Sequence, residues 1–206
     1  MRFAQLLQAA GNEPLFETGL LLSGDCDPAD VRRQITRWVS RGWITKLRRG
    51  LYTLASPFGH NRPHPFLVAN ELVRGSYVSL QSALAHHGLV PEHVPVTTSV
   101  TTGRPGRCET DVGVFEYRHL HRDLHGGYRR EPLGGGQHAF VATPAKALAD
   151  LVHLVPGADA RGYLEGLRID PRDIRELAAD APRFAGRPKL RRAFRHLTAI
   201  ADESGA

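Results

Sequence analysis

The chain has 206 residues and a mass of 22.7 kDa; 41% of its residues are hydrophobic, and its formal net charge is +6 at pH 7. This length suits one large domain or two small ones, with enough apolar residues for a packed core. The two cysteines, Cys26 and Cys108, lie far apart, which argues against a disulfide framework and a zinc ribbon. No apolar run is long enough to span a membrane or to serve as a signal peptide. We therefore expect a soluble cytoplasmic protein.

The positive charge is concentrated in one part of the chain. Residues 31–70 contain eight Lys or Arg and no Asp or Glu, so this segment carries +8. The rest of the chain has 19 basic and 21 acidic residues, a net charge of −2. A local excess of this kind indicates a surface that binds an anionic partner, because solubility alone does not require clustered charge.

The first 55 residues predict three helices followed by a β-hairpin. Apolar residues recur at helical spacing up to Ala10, and a second short helix is predicted over residues 15–22. Asp27 is a good N-cap and Pro28 fits the first helical position, so a third helix should run to about Arg41. Gly42 then ends it.

The third helix has one apolar side and one basic side. Val31, Ile35 and Trp38 share a face at about 100° per residue, which leaves guanidinium groups and hydroxyls on the other. Such a face suits the major groove, where arginine reads guanine and other groups hold phosphates. The predicted base-reading residues are Arg33, Thr36 and Arg37, and the predicted phosphate-binding residues of this helix are Arg32, Ser40 and Arg41.

After Gly42 the pattern changes to two short strands, "WITKL" and "LYTL", joined around "RRG". Gly50 can take the positive φ that a tight hairpin needs. Residues 1–55 therefore predict a winged helix-turn-helix, with Lys46, Arg48 and Arg49 of the wing on phosphates. Because helix-turn-helix proteins usually bind paired half-sites as dimers, the expected target is double-stranded DNA with a repeat. Basic helix faces can also be plain solvated surfaces, and winged helices also dock proteins.

Residues 56–65 are rich in proline and predict a linker or an ordered loop before a second domain over residues 66–206. There we expect a helix at "LVANELV" and another behind Ser79. A hairpin of 96–102 with 112–117 should turn at "GRPG". A strand should lead through Thr143 into a helix at Pro144, with further helices to the C-terminus. The predicted fold class is α+β, a winged helix-turn-helix followed by a mixed α/β domain ending in helices.

Several stretches together carry a family resemblance: "RGWITKLRRGLYTL", "SYVSLQSALAHHGLVPE", "SVTTGRP", "FEYRHL" and "ATPAKALADLVHL". Residues 1–168 resemble the AbiEi family of abortive-infection antitoxins. The resemblance implies a transcriptional autorepressor of a toxin–antitoxin operon, with a winged helix that binds repeats in its own promoter. It also implies a partner gene encoding a nucleotidyltransferase toxin, which the antitoxin opposes without needing a stable complex. It transfers no catalytic residue.

Other chemistry receives less support from the sequence. His119, His121 and His125 lie close together, but no further ligands accompany them, so we predict no metal site and no cofactor. "LGGGQ" lacks the end of a phosphate-binding loop and predicts a flexible connection. Ser79 and Ser82 lack the surroundings of a nucleophile and are interpreted as helix-capping serines. A second basic cluster consists of Arg191, Arg192 and Arg195. Its default interpretation is a solvated helix face, but it could also add DNA contacts or bind RNA.

Two other functions stay open beside the DNA-binding antitoxin. One is an antitoxin that binds its toxin directly through the second domain. The other is a metal-dependent nuclease that uses Asp111 and Glu116, although a nearby lysine is absent. We interpret Glu116 and Arg118 as cross-strand surface charges instead.

Overall fold

The structure is a computed structural model that describes residues 2–22, 27–91, 94–180, 183 and 186–204. Cys26 lies outside these residues. The chain contains both helices and sheets, which confirms the α+β class. Among the described residues, no helix combines the length and the apolarity needed to cross a bilayer.

Helices and strands are labelled in chain order. The helices are α1 (Phe3–Ala10), α2 (Thr18–Leu21), α3 (Pro28–Ser40), α4 (Pro65–Leu72), α5 (Leu80–His86), α6 (Pro144–Leu154), α7 (Arg161–Gly166), α8 (Pro171–Asp180) and α9 (Pro188–Glu203), with a 3₁₀ turn at Arg122–Leu124. The strands are β1 (Phe16–Glu17), β2 (Ile44–Arg48), β3 (Leu51–Leu54), β4 (Tyr77–Val78), β5 (Val96–Thr101), β6 (Gly106–Thr110), β7 (Gly113–His119), β8 (Tyr128–Gly134) and β9 (Gln137–Ala142).

The predicted boundaries of α3 are confirmed. Asp27 Oδ1 accepts a hydrogen bond from the backbone N–H of Ala29 at 2.9 Å, and Pro28 opens the helix. Gly42 follows the helix at a φ of +68°, a conformation that glycine adopts without steric cost. Local capping chemistry therefore sets both ends of this helix.

The prediction of a helix over residues 15–22 is wrong in its first half. Phe16 and Glu17 form β1, which pairs with Tyr52 and Leu51 of β3, and the helix covers Thr18–Leu21. The partner strand lies more than thirty residues away, so the preference of the local sequence does not reveal this pairing. The resulting antiparallel sheet has the order β1-β3-β2.

The second sheet has six strands in the order β6-β7-β5-β4-β9-β8. The predicted hairpin of 96–102 with 112–117 is wrong, because β5 and β7 pair in parallel. The chain after "GRPG" first forms β6, which makes the actual hairpin with β7. Strand β6 lies at the sheet edge with its residues largely exposed, so it lacks the apolar alternation that marks a half-buried strand.

Strand β8 forms the other edge and pairs with β9. The glycines of "LGGGQ" make the tight turn between them, with φ of +82°, +56° and +74° at Gly134, Gly135 and Gly136. This stretch is therefore a hairpin turn and not the flexible connection that was predicted. The predicted strand and helix on either side of Thr143 are confirmed as β9 and α6.

Two hydrophobic cores meet at the hairpin β2–β3. The smaller core joins the buried side of α3 to Leu6, Phe16 and Ile44, together with Tyr52 and Leu54. Leu47 and Leu51 belong instead to the larger core formed by the second sheet and its helices. We call these two leucines the hairpin leucines. They tie the N-terminal elements to the rest of the chain.

The end of α4 makes three further connections, which we call the α4 hub. The carbonyl of Ala69 accepts a hydrogen bond from the Tyr117 hydroxyl at 2.8 Å. Asn70 Oδ1 accepts the backbone N–H of Phe140 in β9 at 2.6 Å, and Asn70 Nδ2 lies 3.5 Å from the Phe140 carbonyl. The carbonyl of Glu71 accepts from Arg48. The Ala69 carbonyl also accepts the backbone N–H of Val73, and its second lone pair receives the Tyr117 hydroxyl. The Glu71 carbonyl belongs to the last turn of the helix, where carbonyls lack intrahelical partners, so it can accept from Arg48.

The segment between the two cores is an ordered loop. Phe58 packs edge-on against Phe3 with ring centroids 5.0 Å apart. Asn61 Nδ2 donates to the carbonyls of Asn12 and Gly135 at 3.3 and 3.1 Å. The backbone N–H of His64 donates to Gln137 Oε1 at 2.7 Å. The loop thus touches both the N-terminal elements and the β8–β9 turn.

We expect Leu51→Ala to lower the free energy of unfolding by about 2–5 kcal/mol, because the lost side chain leaves a cavity where the hairpin enters the larger core. Leu51 is 1% exposed. The control is Leu20→Ala, at a leucine 42% exposed, which should change stability by about 0.5 kcal/mol or less. Urea denaturation measures both variants, and equal effects would contradict a shared core at the hairpin.

Candidate nucleic-acid interface

The basic side of α3 is exposed along its length. Val31, Ile35 and Trp38 are buried in the smaller core, as the helical wheel predicted. Side chains on the other side reach solvent, and these exposed residues are Arg32, Arg33, Thr36, Arg37 and Ser40 with Arg41 just beyond the helix end. The structure therefore brings the predicted base-reading residues together on one accessible face.

Short-range contacts hold some of these groups in place. Arg33 lies 3.5 Å from Asp30, one turn earlier, while its side chain keeps 72% of its exposure. An ion pair this exposed adds little to stability. The Arg33 guanidinium can therefore leave Asp30 and bind another group at little cost in free energy. The Arg41 guanidinium lies 5.0 Å from the centroid of the Trp43 ring, a cation–π contact that keeps it beside the helix end.

The two hydroxyls on this face already donate to their own helix. Thr36 Oγ1 donates to the carbonyl of Arg32 at 3.0 Å, and Ser40 Oγ donates to that of Arg37 at 2.9 Å. Each hydroxyl has one hydrogen to donate. It must therefore turn away from its carbonyl before it can donate to a phosphate, and the arginines are the donors that are free without rearrangement.

The wing residues fall into two groups. Lys46 and Arg49 are exposed, and Gly50 closes the hairpin turn at a φ of +84°. Arg48 instead is half-buried: its Nε and Nη2 donate to the carbonyl of Glu71 at 3.2 and 3.1 Å. Its Nη2 also lies 3.4 Å from the Glu17 carboxylate. Arg48 thus holds the β2–β3 hairpin on the α4 hub.

Two acidic residues, Glu17 and Glu71, lie where Arg48 contacts the α4 hub. Glu17 pairs with Arg74 at 2.7 Å as well as with Arg48, and Arg74 lies 3.7 Å from the Glu71 carboxylate. These charges balance locally. The net positive surface of the N-terminal elements therefore comes from α3 and from exposed Lys46 and Arg49 of the hairpin.

The second basic cluster belongs to the helical end of the molecule. Helix α9, which carries it, packs on α6, α7 and α8. All three arginines are exposed, and Arg192 Nε also donates to Asp159 Oδ2 at 2.6 Å. The predicted auxiliary residues are therefore accessible from solvent, and a nucleic acid would compete with Asp159 for Arg192.

The clustered histidines have separate structural partners. His119 Nδ1 lies 2.9 Å from the carbonyl of Gly103, and His125 Nε2 lies 3.1 Å from that of Gly75. His121 Nδ1 accepts from the backbone N–H of Asp123 at the start of the 3₁₀ turn. Within the described ranges, no group of three His, Cys, Asp or Glu side chains is arranged to hold a metal ion.

The carboxylates considered for nuclease chemistry do not form a cluster. Asp111 lies exposed in the β6–β7 turn, and Glu116 is paired with Arg118 at 2.6 Å. Both members of this pair belong to β7, so the prediction of a cross-strand pair is wrong: alternate residues of one strand share a face.

The serines considered above have other partners. The Ser79 hydroxyl is fully buried and donates to Asp150 at 2.8 Å instead of capping α5. Ser82 Oγ donates to the carbonyl of Val96 at 3.0 Å. Lys146 and Asp150 form a buried ion pair on α6 that was not predicted from the sequence. The sequence signal that could have identified this pair is the presence of two opposite charges, four residues apart, within the apolar run "AKALADLV".

Comparison with family models matches none of them, and no curated protein matches the chain. Among solved structures, the chain is similar to the RV2827C protein from Mycobacterium tuberculosis, with a TM-score of 0.56 and 15% sequence identity. The match covers 98% of this chain and 76% of that one. At this identity, the likeness shows a shared fold alone.

Proposed function

We propose that the chain is a sequence-specific DNA-binding protein and that its first 55 residues form a winged helix-turn-helix. The order α1-β1-α2-α3-β2-β3, with the sheet order β1-β3-β2, supports this assignment. The observation that carries the proposal is the exposed guanidinium face of α3, which opposes a fully packed face of the same helix.

The dimensions of α3 suit a recognition helix. Its 13 residues span about 20 Å at 1.5 Å per residue, enough to lie along the major groove. Arg33 and Arg37 are one turn apart, so both can face base edges while Thr36 lies between them. Arg32, Ser40 and Arg41 flank this group and are proposed to hold phosphates on either side.

The wing supplies a second backbone contact. Lys46 and Arg49 project from the hairpin and are proposed to bind phosphates. Arg48 was predicted to do the same, but its hydrogen bonds to the Glu71 carbonyl support a positioning role that keeps the wing in place. Exposed Arg191 and Arg195 remain candidates for auxiliary contacts.

We further propose that the protein represses its own operon and acts as the antitoxin to a nucleotidyltransferase toxin. This part of the proposal depends on the resemblance of residues 1–168 to the AbiEi antitoxins. The expected DNA target is a promoter with repeated half-sites, bound by two copies of the chain. Residues 66–206 would then carry the antitoxin activity.

We expect Arg37→Ala to weaken binding to the promoter repeat by about 1–3 kcal/mol and to relax specificity at one base pair. Arg49→Ala should instead weaken binding to promoter and scrambled DNA alike and should reduce the salt slope by about one. Gel-shift titrations on both DNAs at two salt concentrations measure these effects.

The matched control for these titrations is Arg104→Ala, at an exposed arginine in the turn between β5 and β6. It should leave both affinities unchanged. If Arg37→Ala and Arg49→Ala affect both DNAs equally, the separation of base reading from phosphate binding is wrong. If neither variant differs from Arg104→Ala, α3 is a solvated surface and the DNA-binding proposal fails.

Arg48→Met should lower the free energy of unfolding by about 1–2 kcal/mol, because it removes charge-assisted hydrogen bonds that cross between the two cores. Arg49→Met removes the same charge from the neighbouring exposed position and should change stability by about 0.5 kcal/mol or less. Thermal or urea denaturation compares them. Equal stability of the two variants would show that Arg48 does not hold the wing.

The antitoxin proposal is tested in a bacterial host that expresses the product of the adjacent gene from an inducible promoter. Co-expression of the full chain should restore growth, and the two proteins should purify separately. Growth rescue with stable co-purification in the absence of DNA would favour an antitoxin that binds its toxin directly. Absence of rescue by a well-expressed chain would overturn the antitoxin proposal.

A further inference from the structure

A buried ionic network lies beneath the start of α6. Lys146 and Asp150 are one turn apart, their side chains are 4% and 2% exposed, and their charged groups are in contact. Asp150 Oδ2 also accepts hydrogen bonds from the Tyr77 hydroxyl at 2.9 Å and from Ser79 Oγ at 2.8 Å. Burial raises the pKa of Asp150, while Lys146 and the two hydroxyls oppose that shift. Both oxygens of this carboxylate are thus occupied.

The ammonium of Lys146 has more hydrogen-bond donors than partners. It carries three N–H donors, and within the described part of the chain its hydrogen bond goes to Asp150. The Tyr77 ring lies 5.8 Å away on another side. A buried cation is costly unless its remaining donors find partners. Lys146 is one of the residues that line a cavity beside α6.

This cavity has a volume of about 370 Å³ and lies between α6, the loop before β8 and the start of α9. That volume falls within the range of small-molecule sites. Leu124, Ala149 and Leu190 give it an apolar wall. The polar groups that line it are Asp123, His125, Lys146, Asp150, His153, Arg183 and Arg187.

Positive charge dominates one side of the cavity. Burial lowers the pKa of His153, and Arg187, Lys189 and Lys146 lower it further against the opposing effect of Asp150. Three cationic groups therefore lie near this imidazole. Arg187 also precedes the 16-residue helix α9, whose N-terminal end adds positive potential at the same place.

The buried acidic group of the cavity is already balanced, because Asp150 is paired with Lys146. The Asp123 side chain is 81% exposed, so solvent and salt screen its charge. Arg183 is paired with Asp180 at 3.5 Å. Arg187 and the unused donors of Lys146 are left to attract an anion, and His153 can donate a further hydrogen bond.

The backbone near the cavity fixes the position of Lys146. Gly127 has a φ of +71°, and a Cβ built on it would lie 3.1 Å from Lys146 Cγ. The loop therefore packs directly against the stem of this lysine, which a larger residue at position 127 would displace. An ammonium held in this way loses little conformational entropy when it binds a ligand.

We propose that this cavity binds a phosphate group, either as the free ion or as the head group of a small organic molecule. Lys146, Arg187 and His153 hold the phosphate oxygens, and Leu124, Ala149 and Leu190 receive an organic body where one is present. Donors from two helices suit a phosphate, which offers oxygens in several directions, better than a planar carboxylate. This site is independent of the DNA-binding proposal.

The test is a titration of the isotope-labelled full chain, followed by the backbone amide signals in NMR. Inorganic phosphate, adenosine monophosphate and acetate are added in turn, with ionic strength held constant by chloride. We expect both phosphate compounds to shift the signals of Gly126, Gly127 and Gly186. Tighter binding of the nucleotide indicates an organic ligand, and equal binding indicates the free ion.

The variant Arg187→Ala should weaken phosphate binding about tenfold, as expected for the loss of one charge-assisted hydrogen bond. Arg187 is exposed and its side chain caps no helix, so the fold should persist, which circular dichroism checks. The control is Arg172→Ala, at an exposed arginine of α8. Absence of shifts at about 10 mM phosphate, equal shifts with acetate, or equal losses in the two variants would each overturn the proposal.

Discussion

The structure depends on a β-hairpin that is packed on both of its faces. Side chains alternate between the two faces of a strand, so neighbouring residues of β3 can enter different cores. Leu51 enters the larger core, while Tyr52 and Leu54 face α3. The same strand therefore completes the N-terminal elements and attaches them to the second sheet. This arrangement, together with the Arg48 bonds to Glu71 and the Asn61 bonds of the loop, sets the orientation of α3 relative to the rest of the chain.

The elements that could be predicted from sequence are those whose signals are local. Asp27, Pro28 and Gly42 define α3 through capping chemistry, and Pro144 marks the start of α6 in the same way. The strands that were not predicted are β1, β4, β6 and β8, because their existence depends on distant partners. Of these, β6 and β8 are also largely exposed edges. The parallel pairing of β5 with β7 is likewise a property of the whole sheet.

The candidate interface likewise has features that the local sequence predicts and features that depend on tertiary packing. The exposed arginines of α3 could be predicted because a helical wheel separates them from Trp38 and its apolar neighbours. The partner of Arg48 could not be, since the Glu71 carbonyl reaches it only after α4 has packed. Lys146 and Asp150 have the spacing of an ordinary surface ion pair, and burial alone distinguishes them.

The α4 hub has a mechanical consequence. One helical end bonds to β7 through Ala69, to β9 through Asn70 and to the β2–β3 hairpin through Glu71. The hairpin and the α3 face packed on it therefore cannot rotate against the six-stranded sheet without breaking polar contacts in addition to apolar ones. For the proposed DNA binding, this means that the spacing between two bound copies would have to be accommodated by the DNA, because each chain has little internal freedom to adjust.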